Sequence, residues 1–263
     1  MKTYRNSLLM LLLMATTLVS NAQKTRTMKT VYHKADSRGH AYHGWLDAHH
    51  TFSFANYYDP LRIQFGALRV LNDDIVQGGR GFGQHPHDNM EIITIPLRGA
   101  LEHKDNTGGH GIIKAGEVQV MSAGTGVQHS EVNASATEEV NLLQIWVFPR
   151  QKNVQPRYDQ KQFSIEGRIN KWQTIVSPAK NTEALWVNQD TWFTLGKFTK
   201  GFSKEYSLNK NDNGVYVFVI EGDVSVNGQK LNKRDGLGIW DIDKLTIVAD
   251  NNAEVLLMEV PMK

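Results

Sequence analysis

The sequence predicts an all-β protein built from two similar halves, each an antiparallel β-barrel. Three observations predict it. Short apolar runs rich in β-branched and aromatic residues recur along the chain, separated by Gly, Asn and Asp. No long stretch carries helical periodicity. Segments of the first half return in the same order in the second, as expected for two copies of one barrel.

The chain has 263 residues, 40% of them hydrophobic, enough to bury a core for one or two domains. Its first residues read as a leader rather than as part of the fold. Lys2 and Arg5 precede an apolar run from Leu8 to Val19, and Ser20-Asn21-Ala22 ends in small residues. That order is a secretory signal at residues 1–22, cleaved before Gln23. The run is too short to span a bilayer comfortably. The other reading is a start at Met28 and a cytoplasmic product. There are no cysteines, so export brings no disulfides. Without Lys2 and Arg5, the 29 basic residues fall to 27, against 27 acidic ones. A balanced chain has no electrostatic footprint for nucleic acid or an anionic membrane.

Strands are predicted at Ile92–Ile95, Val118–Val120, Leu142–Val147, Val215–Ile220 and Val255–Met258. Leu97-Arg98-Gly99-Ala100-Leu101 resembles Ile220-Glu221-Gly222-Asp223-Val224. Lys114 to Val118 resembles Arg234 to Gly238, and Val140 to Gln144 resembles Glu254 to Met258. Pro149 to Tyr158 reads as the linker, giving halves at 28–150 and 157–263. Lys230 to Arg234 reads as a solvated strand edge.

The chemistry concentrates in the first half. All ten histidines lie between His33 and His129. Gly83-Gln84-His85-Pro86-His87-Asp88-Asn89-Met90-Glu91 is followed by Met121-Ser122-Ala123-Gly124-Thr125-Gly126-Val127-Gln128-His129-Ser130-Glu131. Side chains two apart in a strand share a face. His85 and His87 therefore point one way, and so do His129 and Glu131. Two such pairs brought together offer three imidazoles and a carboxylate to a redox-capable divalent ion. Spacing equally allows Glu91 as the carboxylate.

Gly79, His85-Pro86-His87 and Glu91, then Gly116 and His129, resemble the two motifs of the cupin superfamily, with Gly99 one residue late and Ser122 in place of Pro. Phe82 to His87, Met121 to Glu131 and Gly44-Trp45-Leu46-Asp47-Ala48-His49-His50-Thr51-Phe52-Ser53-Phe54 together resemble the pirin family, particularly bacterial members with quercetin 2,3-dioxygenase activity. The leader departs from that family.

The resemblance implies a bicupin of two jelly-roll barrels facing each other. A monomer is expected. One metal ion would sit in the first half, on His85, His87, His129 and Glu131. Fe(II) is the expected ion, with Ni, Co, Mn, Cu or Zn as other occupants. Glu91 becomes a supporting residue. The implied reaction opens a flavonol such as quercetin with O₂ and releases carbon monoxide, Glu131 taking the 3-hydroxyl proton. Phe52, Phe54 and Phe82 are open between pocket wall and core. Trp45, His49 and His50 belong to the family-like segment, the two histidines as hydrogen-bonded structural residues. His103 and His110, near the Gly108-Gly109 turn, are expected at the surface. A non-catalytic metal- or redox-sensing protein and a cupin isomerase or hydrolase are the competing functions.

The leader generates a test. N-terminal mass spectrometry of protein from its native host should find Gln23, or pyroglutamate formed from it, at the mature end. A product starting at Met28 overturns export.

Overall fold

The structure is a computed structural model and describes residues 27–263; the expected signal at residues 1–22 lies outside the described residues. The first half supplies β1 (Lys29–His33), β2 (Gly39–Tyr42), β3 (Leu46–His50), β4 (Leu68–Val76), β5 (Gly81–His87), β6 (Glu91–Arg98), β7 (Ala100–Asp105), β8 (His110–Lys114), β9 (Glu117–Ser122), β10 (Val127–Asn133) and β11 (Val140–Val147). The second supplies β12 (Arg157–Gln162), β13 (Trp172–Ser177), β14 (Leu185–Trp186), β15 (Trp192–Phe198), β16 (Ser203–Ser207), β17 (Asn213–Glu221), β18 (Val224–Val226), β19 (Gln229–Leu231), β20 (Gly236–Trp240), β21 (Lys244–Ala249) and β22 (Ala253–Pro261). Helix is confined, among the described residues, to two 3-10 turns at Ala35–Ser37 and Ile165–Gly167. Every predicted strand is present.

These strands make two seven-stranded and two four-stranded sheets. The orders β12-β9-β6-β11-β4-β3-β2 and β5-β10-β7-β8 form one pair, and β1-β20-β17-β22-β15-β13-β14 and β16-β21-β18-β19 the other. The pairs correspond except at one edge of the large sheets, where β2 precedes β3 and pairs antiparallel while β14 follows β13 and pairs parallel. Gly99 and Gly222 occupy the same turn with φ of 75° and 77°, a left-handed conformation that glycine adopts without penalty. A Cβ there would meet Glu139 O at 2.9 Å in one copy and Asn252 O at 2.0 Å in the other.

The halves exchange their outermost strands. β1, from the start of the described chain, pairs with β20 (Val31↔Gly238), and β12, from after the linker, pairs with β9 (Tyr158↔Met121). Chain boundaries at 150 and 157 therefore do not coincide with sheet boundaries: Lys29–His33 belongs to the second half's large sheet, and Arg157–Gln162 to the first's. Tyr158, expected in the linker, is in a strand.

The large sheets pack on each other. Phe52, Leu71, Ile93, Ile95, Val120 and Leu143 of one meet Ile175, Phe193, Leu195, Tyr216, Phe218 and Met258 of the other in a single buried cluster. Burial on both faces explains why β6, β11, β17 and β22 read as unbroken apolar runs rather than as alternation. Phe52 is core here, edge-on to Tyr216 at 5.5 Å, and is not a pocket wall.

A polar tie also crosses the halves. Asp73 Oδ2 takes Arg38 Nη1 at 3.3 Å and Arg234 Nε at 3.4 Å, while its Oδ1 accepts from Asn141 Nδ2 at 2.9 Å. Arg234 is thus drawn from the expected solvated edge into a largely buried ion pair, because the turn before β20 aims it at the first half. Removing one member of such a group strands buried charge, which typically costs about 3–5 kcal/mol. Asp73→Ala should lower the unfolding free energy by about that amount in chemical denaturation.

Candidate metal centre

The first half's interior, between its large and small sheets, holds the site. Along β5, His85 and His87 are turned inward while Gln84 and Pro86 are exposed. Along β10, Val127, His129, Glu131 and Asn133 are buried. The antiparallel register sets His129 directly opposite His85, and Val127 opposite His87. The three imidazoles converge: ring centroids are 4.4 Å apart for His85 and His129, 4.8 Å for His87 and His129, and 4.9 Å for His85 and His87. One ligating nitrogen from each lies within 4.8 Å of the others.

Hydrogen bonding fixes which nitrogens are free. His85 Nδ1 lies 2.8 Å from Gly83 O, which only accepts, so Nδ1 carries the proton and Nε2 a free lone pair. His129 Nδ1 lies 3.3 Å from His103 Nδ1, and His103 Nε2 lies 3.0 Å from Asp105 Oδ2. His103 Nε2–H donates to the carboxylate, so His103 Nδ1 accepts from His129 Nδ1–H. His129 Nε2 is left as a buried lone pair with no donor. A buried acceptor without a partner is costly, and a cation among three imidazoles would satisfy it. The donor set fits a borderline divalent ion.

His103 is fully buried, against the expectation of a surface residue, whereas His110 is exposed. The reason is strand parity: Leu101, His103 and Asp105 share the inward face of β7, and Glu102 and Lys104 the outward one. Asp105 is braced through Oδ1 by Thr107 N, Thr107 Oγ1 and Gly109 N at 2.7–2.9 Å. Burial would raise its carboxyl, but these donors and His103 together hold it below the usual carboxylate range. A Cβ at Gly109 would sit 2.2 Å from Asp105 Oδ2. Tyr158, from the exchanged strand, stacks on His103 at 4.6 Å and 24°.

The two carboxylates part company. Glu91 shares a face of β6 with Ile93 and Ile95, which pack on the second half. Ser122 Oγ donates to its Oε2 at 2.7 Å and Asn188 N at 3.1 Å. The turn at Asn89, with φ 47°, lies between β5 and β6, so parity does not carry from His87 to Glu91. Glu131 faces the interior with Thr94 and Gln144. Gln144 Nε2 donates to its Oε2 at 2.8 Å, and Thr94 Oγ1 lies 3.4 Å from its Oε1. Glu131 groups with His103 and His129 rather than with all three converging histidines, His129 being common to both groups. Burial raises the Glu131 carboxyl, opposed by His103 and the Gln144 hydrogen bond.

Beside His87, the Trp146 ring stands edge-on at 4.8 Å and Phe54 stands edge-on to Trp146 at 5.3 Å. Phe82 packs against Trp45 at 5.4 Å, away from that wall. His50 is a structural histidine, its Nδ1 2.9 Å from Asn72 Oδ1. A surface recess of about 500 Å³, lined by Pro86, His87, Asn106, Val127 and Gln128, reaches one member of the cluster, His87. A cavity of about 530 Å³ between the halves, lined by Phe163, Arg168 and Glu254, contains no histidine. Thr94, Gln144, Trp146, His103 and Asp105 are the site residues that sequence reasoning missed.

Residues 31–147 match the Pirin family model, and residues 174–260 match the model of the quercetinase C-terminal cupin domain. The quercetin 2,3-dioxygenase of Escherichia coli K12 is 45% identical over 229 residues, spanning 87% of this chain and 97% of that protein. The pirin-like protein of Caulobacter vibrioides is 42% identical over 225 residues, spanning 85% and 96%. The crystal structure of bacterial pirin YhhW from Escherichia coli, in complex with nickel(II), superposes with a TM-score of 0.84 at 44% identity, covering 89% of this chain and all of that one. A quercetin 2,3-dioxygenase structure from Acinetobacter baumannii, 22% identical with a TM-score of 0.71, shares the fold.

The imidazoles generate a pH test. Burial, with the neighbouring histidines, pushes His129 down to about 3; burial and His85 push His87 down to about 4. Below about 6.5 the unfolded chain takes up these protons and the folded one does not, so each histidine subtracts stability as pH falls toward its folded value. Metal-free wild type should therefore lose stability relative to metal-free His129→Gln between about pH 6.5 and 4, with a constant difference above 6.5. Urea unfolding across that range measures it. Comparing the two proteins cancels the opposite trend of the raised carboxyls of Asp74, Glu91 and Glu131.

Proposed function

Because the chain belongs to the pirin family, we propose that it is a metal-dependent dioxygenase that opens flavonols such as quercetin with O₂ and releases carbon monoxide. The observation that carries this reading is the partnerless, buried Nε2 of His129 among three converging imidazoles. His85, His87 and His129 would hold the ion, with Glu131 as the fourth ligand. When bound, such an ion acidifies a coordinated hydroxyl and templates two reactants. Iron(II) is the proposed ion; the nickel(II) in the related bacterial pirin keeps nickel a direct competitor. Each half reads as one cupin barrel whose walls are its large and small sheets. The protein would be exported and act as a monomer.

This chain's own residues supply the remainder. Glu131, braced by Gln144 and Thr94, accepts the flavonol 3-hydroxyl proton. Its raised carboxyl pKa suits it better to that task than an exposed carboxylate would be. Trp146 and Phe54 offer an apolar wall to a flat polyphenol entering past His87. Asp105 and His103 hold the His129 ring through its Nδ1, leaving Nε2 as the atom that would bind the ion. Carboxylate–imidazole support of this kind typically sets ligand orientation and basicity.

The test is metal content and quercetin turnover, followed by O₂ consumption, for wild type, Glu131→Gln and Glu91→Gln. Turnover is compared at full metal loading. Loss of a general base should cost Glu131→Gln about 10² to 10⁴ in rate. Glu91→Gln should retain metal and lose about 10-fold at most. The reverse pattern would place the carboxylate at Glu91. Wild type that binds metal yet turns over no flavonol with Fe, Ni, Co, Mn or Cu would leave a metal- or redox-sensing binding protein as the better reading.

A further inference from the structure

The described residues hold one other cluster of histidines with a carboxylate, on the edge hairpin of the first large sheet. β2 and β3 pair with His40 opposite His49 and Tyr42 opposite Asp47. Asp47 and His49 are two apart on one strand, and His40 is the cross-strand neighbour of His49. All three side chains therefore stand on one face of the hairpin. The two rings stack at 4.6 Å and 21°. His40 Nε2 lies 2.8 Å and His49 Nδ1 3.6 Å from the same oxygen, Asp47 Oδ1. One ligating atom from each residue lies within 4.8 Å of the others.

We propose that His40, Asp47 and His49 form a second metal site, at the surface, that takes a borderline divalent ion such as zinc. Zinc binds imidazole nitrogen and carboxylate oxygen at about 2.0–2.2 Å in tetrahedral geometry. Ligand atoms then stand roughly 3.4 Å apart, close to the separations already present. Their side chains are 53%, 36% and 35% exposed, so the two rings are free to turn out of their stack and aim their in-plane lone pairs at one point, and water can fill the fourth position. Calcium and magnesium are excluded, because they require mostly oxygen ligands and this face offers one carboxylate.

Neighbouring charge sets the strength. Arg38, Lys233 and Arg234 line the recess beside His40 and His49, with Asp36. Arg38 and Arg234 are committed to Asp73, and Lys233 to Glu221 at 2.9 Å. These cations weaken the site without abolishing it, so it fills after the interior one. It shares no residue with the His85, His87 and His129 cluster, and it stands whether or not the protein is a dioxygenase.

Zinc alone is the probe. Metal-free protein is dialysed to equilibrium against zinc in modest excess, and bound zinc is counted by elemental analysis. Wild type should bind two ions per chain. His40→Gln, Asp47→Asn and His49→Gln should each bind one. His43→Gln, a neighbouring exposed histidine outside the cluster, should keep two. The triple variant of His85, His87 and His129 to Gln should retain one, lost on adding His49→Gln. Circular dichroism confirms that each variant is folded. One ion per wild-type chain, or two ions that survive both His40→Gln and His49→Gln, overturns the proposal. A triple variant that still binds two ions would instead count against the interior site.

Discussion

The structure depends on the face-to-face packing of its two seven-stranded sheets. Each alone would expose a wide apolar face: Ile93, Ile95, Val118, Val120, Leu143 and Ile145 on one, Phe193, Leu195, Tyr216, Phe218, Leu256 and Met258 on the other. Burying such surface stabilises by roughly 25 cal/mol per Å², so the seam contributes to the stability of both halves. The exchanged edge strands β1 and β12 follow from this geometry. Once the sheets are stacked, a strand leaving one half lies within reach of the other's open edge, and pairing there removes unpaired backbone groups.

The interior of the first half carries polar groups where that of the second is apolar. Counting from the shared glycine turn, the pairs Leu101↔Asn133 and Val224↔Ala249 correspond. Moving two residues along, Glu131↔His103 corresponds to Ile247↔Val226. One step further, His129 corresponds to Leu245. Where the first half places His129, His103 and Glu131, the second places Leu245, Val226 and Ile247 in an apolar cluster. Apart from the edge strands β2 and β14, the two copies differ in what fills the sandwich and not in how it is built.

This explains what was legible in the sequence. The strands were, because burial on both faces leaves apolar runs that no helix pattern competes with. His85, His87, His129 and Glu131 were legible as same-face pairs, since alternation is local and survives without knowledge of partners. His103 was passed over because Glu102 and Lys104 give β7 a polar look; the usable signal was its shared parity with Leu101, whose counterpart Val224 is plainly core. Thr94 and Gln144 reach Glu131 from the opposite sheet, a juxtaposition that only the packed fold creates. The strand exchange was invisible for the same reason: β12 pairs with a strand some forty residues earlier, and β1 with one about two hundred residues later. Phe52 illustrates the converse, an aromatic in a functional-looking segment whose position is set by the seam.

The second half, stripped of histidines, still acts on the first half's centre. Tyr158 stacks on His103 only because β12 crosses to β9, and His103 orients His129 through a single contact between Nδ1 atoms. Asn188 donates its backbone N–H to Glu91, which keeps that carboxylate on the seam face of β6, away from the face where Thr94 meets Glu131. Asp73 binds Arg234 of the second half and lies opposite His49 in the β3–β4 register. Separating the halves would therefore withdraw the stacking partner from the ring that supports His129, uncover Glu91 and remove Arg234 from Asp73, leaving Arg38 as its guanidinium partner. The second half thus touches the surroundings of both clusters of the first, through Tyr158 at His103 and Arg234 at Asp73.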